Sequence, residues 1–143
     1  MTETRYLNGK VWKRSLPVFQ GPPPADAPGP KRLFLRQGEL AHFYDGDEGM
    51  RYAAFVELRP CEIRGNHWHH KKEEQIYIIS GAVTLVAQDR DSGSKVSIKL
   101  EAGDLAFIAT GVAHAIKTAA AGHGIEFSQT RFDAADVQPF TVM

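Results

Sequence analysis

Four of the six histidines lie in two short segments, and their spacing could bring them together. His67 and His69 are two residues apart, so in a β-strand both imidazoles point to the same face. A four-residue turn separates them from Glu74 at the start of the next predicted strand, and His114 begins another. Three imidazoles and one carboxylate form a mixed nitrogen and oxygen donor set, which suits Fe, Mn, Ni, Cu or Zn. We therefore predict one divalent transition metal, with His67, His69, Glu74 and His114 as its ligands.

Two neighbouring residues compete for these roles and are set aside by strand parity. His70 has the opposite parity to the histidine pair, and Glu73 has the opposite parity to Glu74, which shares a face with Ile76 and Ile78. A metal that keeps one or two water positions can act as a Lewis acid, activate water or bind the oxygens of a substrate.

Short runs rich in β-forming residues position these side chains. Within one run, Val96, Ile98 and Leu100 alternate with polar residues, and the DSGS segment at 91–94 before it is typical of a hairpin turn. Only residues 36–43 and the tail after residue 132 have a helical option. Many short strands with glycine-bearing turns predict an all-β sandwich, jelly roll or barrel. The predicted strands are 33–35, 52–58, 75–79, 82–88, 95–100, 104–108, 113–117 and 125–132.

The chain of 143 residues is long enough for one ordinary domain. Residues 21–30 contain seven prolines and glycines, and proline is excluded from helix interiors and central strands. We expect residues 1–32 to form an arm with a stiff linker and residues 33–143 to form a single barrel domain. Residues 5–19 could add an edge strand to this barrel or to a neighbouring subunit.

Composition narrows the classes of partner. Lysine plus arginine and aspartate plus glutamate are equal at 17 each, so no electrostatic footprint for nucleic acid is expected. The single cysteine, Cys61, cannot form an internal disulfide and is expected to be a small buried residue. No segment has the roughly 20 apolar residues of a membrane span or the pattern of a signal peptide. We expect a cytoplasmic protein that binds a small molecule and neither nucleic acid nor membrane.

The first histidine segment resembles a known motif. His67-x-His69, four residues, Glu74, six residues and Gly81 match the first motif of the cupin superfamily. The opening glycine of that motif is replaced here by Cys61.

The second segment resembles the second cupin motif. Gly103, Gly111 and His114 occupy their positions, whereas Ala109 replaces the usual proline and Thr118 the usual asparagine. The resemblance implies the cupin fold, a double-stranded β-helix or jelly-roll barrel, and a homodimer.

A finer resemblance concerns the stretch from Arg64 to His70. It looks like the Arg-Gly-x-His stretch of cupin-type enzymes that act on nucleotide-linked sugars, including 3,5-epimerases and ketoisomerases. In such epimerases the histidine removes a proton beside a carbonyl and the arginine contacts the substrate. The resemblance implies that His67 would be a base if no metal is bound, and that Arg64 would contact an anionic group through its planar fork.

Three hypotheses stay open at this point. The first and preferred one is a metal-dependent enzyme on a small oxygenated substrate, either a sugar or keto-acid isomerase or epimerase, or a dioxygenase. The second is a metal-assisted protein that binds a small ligand without turnover. The third is a metal-free sugar-nucleotide epimerase with His67 as the base. The candidate substrate-binding residues are Arg64, Tyr77 and Glu126. No general acid or base is assigned, except His67 as the base if no metal is bound.

Overall fold

The computed structural model describes residues 2–143, which form two β-sheets and two short 3-10 turns. Residues Leu7–Gly9 and Ala134–Asp136 are the 3-10 turns. The strands are β1 (Thr2–Tyr6), β2 (Val11–Ser15), β3 (Val18–Gln20), β4 (Lys31–Leu35), β5 (Gly38–His42), β6 (Tyr52–Leu58), β7 (Ile63–His69), β8 (Glu74–Asp89), β9 (Lys95–Glu101), β10 (Asp104–Ile108), β11 (Val112–Ser128) and β12 (Val137–Pro139).

Nine strands form the larger sheet, which is antiparallel throughout. Its order is β1-β2-β10-β8-β11-β7-β12, with β9 beside β8 and β6 beside β11. Strands β3, β4 and β5 form a separate small sheet in which β3 and β4 run parallel. This arrangement is the predicted cupin jelly roll, so the all-β fold class is confirmed.

The two longest strands change partners halfway along their length, which folds the sheet around an interior. The first part of β8 pairs with β10 and its second part with β9. The first part of β11 pairs with β7 and its last part with β6. The sequence predicted two strands on each of these segments, because glycines interrupt both runs. In the structure each run is one bent strand, with Gly81 and Gly122 at the bend.

Alternation along the strands separates an interior from an outer cluster. Ile76 and Ile78 on β8 lie in the main core with Leu85 of the same strand and Ile98 and Leu100 of β9. The other face of β8 carries Tyr77, which packs in an outer aromatic cluster. The alternation predicted for β9 is thus confirmed.

The first 32 residues contribute strands to both sheets. β2 pairs with β10 along its whole length, and β1 pairs with β2 at the edge of the larger sheet. β3 pairs with β4 in the small sheet. The pairing of residues 11–15 with β10 extends the larger sheet on the side of β10 away from β8. The division into an arm and a barrel at residue 32 stays a prediction.

Other local expectations differ from the structure. The 36–43 segment forms β5 rather than a helix, because it pairs antiparallel with β4. Cys61 is exposed in a turn with a positive φ of 67°, so the expectation of a buried cysteine is wrong. Within residues 2–143, no helix has the length and apolar character needed to cross a bilayer.

We predict that Gly122→Ala lowers the free energy of unfolding by about 1–3 kcal/mol, because overpacking forces the backbone to move. A Cβ at this position would collide with the backbone carbonyl of Ser80 across the bend. Urea unfolding followed by tryptophan fluorescence measures the change. Gly49→Ala is the control, since a Cβ there has no neighbour within 4 Å. Equal stability of the two variants would contradict the close approach at the bend.

Candidate active site

The polar residues of the interior gather at one cavity of about 200 Å³. Isoleucines from β8, β10 and β11 also line it, so the polar groups face a partly apolar space. Such convergence of few polar groups in a concave apolar pocket is typical of a small-molecule site. The polar lining residues are Arg64, His67, His69, Lys72, Glu74, His114, Glu126 and the hydroxyl-bearing Tyr52.

Strand register brings together the four residues that the sequence grouped. His67 on β7 lies opposite His114 on β11, and His69 follows on the same face of β7. The ring centroid of His67 lies 4.8 Å from that of His69 and 4.9 Å from that of His114. One donor atom from each of these three residues and from Glu74 lies within 4.8 Å of the others.

The Glu74 carboxylate links three of the surrounding groups. Its Oε2 lies 2.9 Å from His114 Nε2, and its Oε1 lies 3.1 Å from His69 Nε2 and 3.0 Å from Lys72 Nζ. Burial alone raises the pKa of Glu74, but the hydrogen bonds from His114 and His69 outweigh it and hold this pKa well below its usual value. Glu74 is therefore an ionised acceptor.

His114 is positively charged in this arrangement. Its Nδ1 lies 3.0 Å from the carbonyl oxygen of Val112, and its Nε2 faces the Glu74 carboxylate. Both partners only accept hydrogen bonds, so both ring nitrogens carry protons. Burial lowers the pKa of His114, but the hydrogen bond to Glu74 outweighs burial and raises it, in agreement with the geometry.

His67 differs from its neighbours because it stays neutral and unpaired. Its side chain forms no hydrogen bond with any of residues 2–143 and lines the cavity. Burial, followed by the positive charge of His114, lowers the pKa of His67 to about 4. At neutral pH this imidazole keeps a free lone pair that faces the cavity.

Lys72 is a site residue that the sequence analysis missed. Its side chain is only 4% exposed, and its ammonium lies 3.0 Å from Glu74 Oε1 and 4.4 Å from the centroid of the Tyr52 ring. Lys72 lies between the two histidines of the first motif and Glu74, and the sequence analysis assigned it no role. Its spacing of two from Glu74 was the signal that could have placed it on the interior face.

The turn between β7 and β8 is held by Asp136, which the sequence left without a role. The Asp136 carboxylate is 6% exposed and accepts hydrogen bonds from the backbone N–H groups of His70, Lys71 and Lys72. Its Oδ2 also lies 3.9 Å from His69 Nδ1, a buried nitrogen without a hydrogen bond within residues 2–143. Asp136 therefore orients the turn that delivers Lys72 and Glu74 to the cavity.

The C-terminal segment is tied to the strand that carries the histidines by the residue before His67. Asn66, at a positive φ of 56°, accepts hydrogen bonds from the backbone N–H groups of Val142 and Met143 through Oδ1. β12 pairs with β7, with Pro139 opposite His67 and Val137 opposite His69. The segment 137–143 thus covers the edge of the strand that carries both histidines.

The three candidate substrate-binding residues lie in different places. Arg64 is exposed at the cavity rim and donates a hydrogen bond to the carbonyl of Glu57, and Glu126 lines the interior. Tyr77 does not line the cavity and stacks on Phe43 at a centroid distance of 5.2 Å. The pocket role expected for Tyr77 is therefore wrong, because its parity on β8 is opposite to that of Glu74.

Glu73 also follows the predicted parity and lies outside the site. It accepts hydrogen bonds from the Ser128 hydroxyl at 2.7 Å and from the Gln129 N–H at 2.6 Å. It holds the segment after β11 in place and leaves the cavity to Glu74.

The sequence matches a family model described as the polysaccharide biosynthesis C-terminal domain over residues 36–131, more than half of the chain. The chain belongs to this family. No curated protein matches the sequence of this polysaccharide biosynthesis C-terminal domain.

Solved structures share the fold of this polysaccharide biosynthesis C-terminal domain at low identity. The RmlC epimerase of Mycobacterium tuberculosis is 13% identical with a TM-score of 0.72, over 96% of this chain and 72% of the epimerase. The Legionella pneumophila epimerase RmlC, in complex with dTDP-4-keto-L-rhamnose, is 13% identical with a TM-score of 0.75, over 99% and 78%. The TDP-quinovose 3,4-ketoisomerase WlaRB of Campylobacter jejuni is 16% identical with a TM-score of 0.64, over 77% and 88%.

The expectation of a bound divalent transition metal is wrong. The solved structures that this domain resembles include RmlC-type epimerases, which act without a metal cofactor. The donor set agrees with this correction. The Lys72 ammonium beside Glu74 places a fixed positive charge where a cation would have to bind.

We predict that Asp136→Asn lowers the free energy of unfolding of this domain by about 1.5–3 kcal/mol at neutral pH, since hydrogen bonds to a charged group are lost. Burial raises the pKa of Asp136, but the backbone hydrogen bonds outweigh it, so the folded-state pKa is lowered. The contribution is therefore present above the unfolded pKa of about 3.9 and is lost as the pH falls through the lower folded value.

The measurement is urea unfolding of the wild type and Asp136→Asn at neutral pH and at about pH 3, where the Asp136 carboxylate begins to take up a proton. The difference between the two proteins should shrink at the acidic pH. Asp26→Asn, at an exposed position, is the control. A difference that is equal at both pH values would rule out a role for the ionised carboxylate.

Proposed function

We propose that this chain is a metal-free epimerase or isomerase of a nucleotide-linked keto sugar, in which His67 removes a proton from the carbon beside the carbonyl. The observation that carries the proposal is the neutral, unpaired imidazole of His67 facing a cavity that also holds two fixed positive charges. The solved structures with a similar fold include epimerases and a ketoisomerase of nucleotide-linked sugars, which supports this class of substrate.

His67 has the properties of a general base in this site. A base must hold a free lone pair at the operating pH, and burial beside the charged His114 keeps His67 unprotonated. His69 and His114 are engaged with Glu74, so they are not free to take a proton. The base role therefore falls on the one cavity histidine without a hydrogen bond.

The positive charges stabilise the anion that proton removal creates. Removing the proton pushes the electron pair of the C–H bond into a carbon–carbon double bond and the carbonyl electrons onto oxygen. The ammonium of Lys72 and the imidazolium of His114 both line the cavity, and they are held there by Glu74. Fixed charges that need no reorganisation lower the energy of such an enolate.

The size of the cavity and the position of Arg64 suit a sugar attached to a larger anionic group. A volume of about 200 Å³ accommodates one sugar ring, and the nucleotide would lie beyond the rim. The exposed guanidinium of Arg64 at this rim matches a phosphate through two parallel hydrogen bonds.

The assembly and location expected from the sequence also belong to the proposal. We propose that the chain forms a homodimer and acts in the cytoplasm on a small molecule, without nucleic acid or membrane as partner. The equal numbers of acidic and basic residues support the exclusion of nucleic acid.

We expect His67→Asn to lower turnover by about 10²–10⁴-fold, the range for loss of a general base. Deuterium exchange from D2O into the carbons beside the keto group of dTDP-4-keto-L-rhamnose, followed by NMR, measures the proton-transfer step directly. His42→Asn is the control, because His42 does not line the cavity. Treatment with EDTA should leave wild-type exchange unchanged.

Two outcomes would contradict the proposal. Exchange that stops after EDTA and returns with added metal would restore a metal-dependent reading of the site. Tight binding of the nucleotide sugar without any exchange would identify a binding protein that performs no reaction.

We also predict that kcat/KM does not fall with decreasing pH in the range where an ordinary imidazole becomes protonated. The base acts only when unprotonated, so activity is lost as the pH falls through the His67 pKa of about 4. From about pH 8 to 5.5 protonation of His67 should therefore cause no loss, whereas a base with an ordinary pKa of about 6.5 would lose most of its activity. An apparent acidic pKa between about 6 and 7 would contradict the neutral, buried state of His67.

A further inference from the structure

We propose that Glu126 is the second proton carrier of this site and delivers a proton to the substrate carbon on the face opposite His67. This inference rests on the proposed function and specifies it as epimerisation with inversion at the carbon beside the carbonyl. Glu126 would thus be a catalytic residue rather than a substrate-binding contact alone.

The two carboxylates of the cavity have opposite environments. Glu74 is held by His69, His114 and Lys72. The carboxyl group of Glu126 forms no hydrogen bond and no ion pair with any group in the described part of the chain, yet it lines the same cavity. A partly buried acid without a partner is free to exchange a proton with a ligand.

Glu126 and His67 reach the cavity from different walls of the jelly roll. His67 lies on β7, which pairs with the first part of β11. Glu126 lies in the last part of β11, opposite Ala54 of β6 and Ile76 of β8. The two side chains therefore enter the cavity from different strands, and in the proposed complex the sugar ring lies between them.

The pKa values of the pair are shifted in opposite directions, as an acid and a base require. Burial, followed by the negative charge of Glu74, raises the pKa of Glu126, which favours its protonated form. Burial and the charge of His114 lower the pKa of His67. Environments that push the pKa values of two cavity groups in opposite directions are a mark of acid and base roles.

Tyr52 is the other cavity residue with a hydroxyl proton, and it is less suited to this step. Burial raises its pKa above the ordinary phenol value, and the Lys72 ammonium lies on the face of its ring. A carboxylic acid is a far stronger proton donor than a phenol, since their ordinary pKa values differ by about six.

The step balances without a further reactant. His67 takes the proton, and the C–H electron pair becomes part of the enolate stabilised by Lys72. The O–H bond of Glu126 then breaks as its proton forms a new C–H bond on the opposite face, and the carbonyl is restored. His67 ends protonated and Glu126 ionised, and proton exchange with solvent returns both groups to their starting states.

The test compares Glu126→Gln with wild type in D2O, using dTDP-4-keto-L-rhamnose and its epimer at the two carbons beside the keto group. The glutamine keeps the shape of the side chain but has no acidic proton. We expect the net interconversion of the two probes to fall by about 10²–10⁴-fold, the range for loss of a general acid. One epimer, the one whose C–H faces His67, should still exchange its proton for deuterium without inversion.

Three comparisons make the outcome decisive. His67→Asn should show the complementary pattern, with residual exchange confined to the other epimer. Glu126→Asp should recover part of the interconversion, because it restores an acidic proton. Glu57→Gln, at an exposed position on β6, should match wild type, as should the thermal unfolding and dTDP binding of Glu126→Gln.

Each contrary result has a distinct meaning. Interconversion by Glu126→Gln within about threefold of wild type would overturn the role of Glu126 and leave His67 and the proposed function intact, since loss of an acid costs far more. Loss of exchange from both epimers in Glu126→Gln would also overturn it and assign Glu126 to substrate positioning. Absence of both exchange and interconversion in wild type would overturn the proposed function itself.

Discussion

The carboxylate of Glu74 is the interaction on which the site depends. It holds two imidazoles from two strands and one ammonium from a turn, at distances of 2.9–3.1 Å. An unpaired carboxylate would be costly to bury, and so would each cation. Together they form a network in which every charge has a partner, and the net charge left in the cavity is positive. That residual charge is what an enolate needs, and it also keeps His67 neutral.

The network in turn depends on segments distant in sequence. Asp136, from the end of the chain, accepts the backbone N–H groups of the turn that carries Lys72 into the interior. Asn66 binds the backbone of the last residues and sits next to His67. The C-terminal segment therefore acts as a brace on the strand that carries both histidines, and the site cannot be understood from the barrel strands alone.

The mistaken expectation of a metal has a specific physical origin. Three imidazoles and a carboxylate that converge on one point satisfy the spacing of a metal site and of a charged hydrogen-bond network equally well. What separates the two is where the protons lie. Lys72 brings an ammonium to Glu74 from the turn, and Asp136 holds that turn through its backbone N–H groups. Neither contact can be read from spacing within the two motifs, because both depend on how the strands are joined in three dimensions.

Local alternation was enough to predict much of this protein from its sequence. It placed His67, His69, Glu74 and His114 on interior faces, excluded His70 and Glu73, and indicated a jelly roll, because side chains two residues apart in a strand share a face. The sequence analysis did not apply the same rule to Tyr77, which it offered as a pocket residue and which the structure places in the outer cluster. Tertiary structure alone decided which carboxylate is bound and which is free, that Asp136 is buried under the β7–β8 turn, and that β8 and β11 each run unbroken through a glycine bend. These outcomes depend on contacts between residues far apart in the chain, and the energy of a buried charge is set by such contacts rather than by its neighbours in sequence.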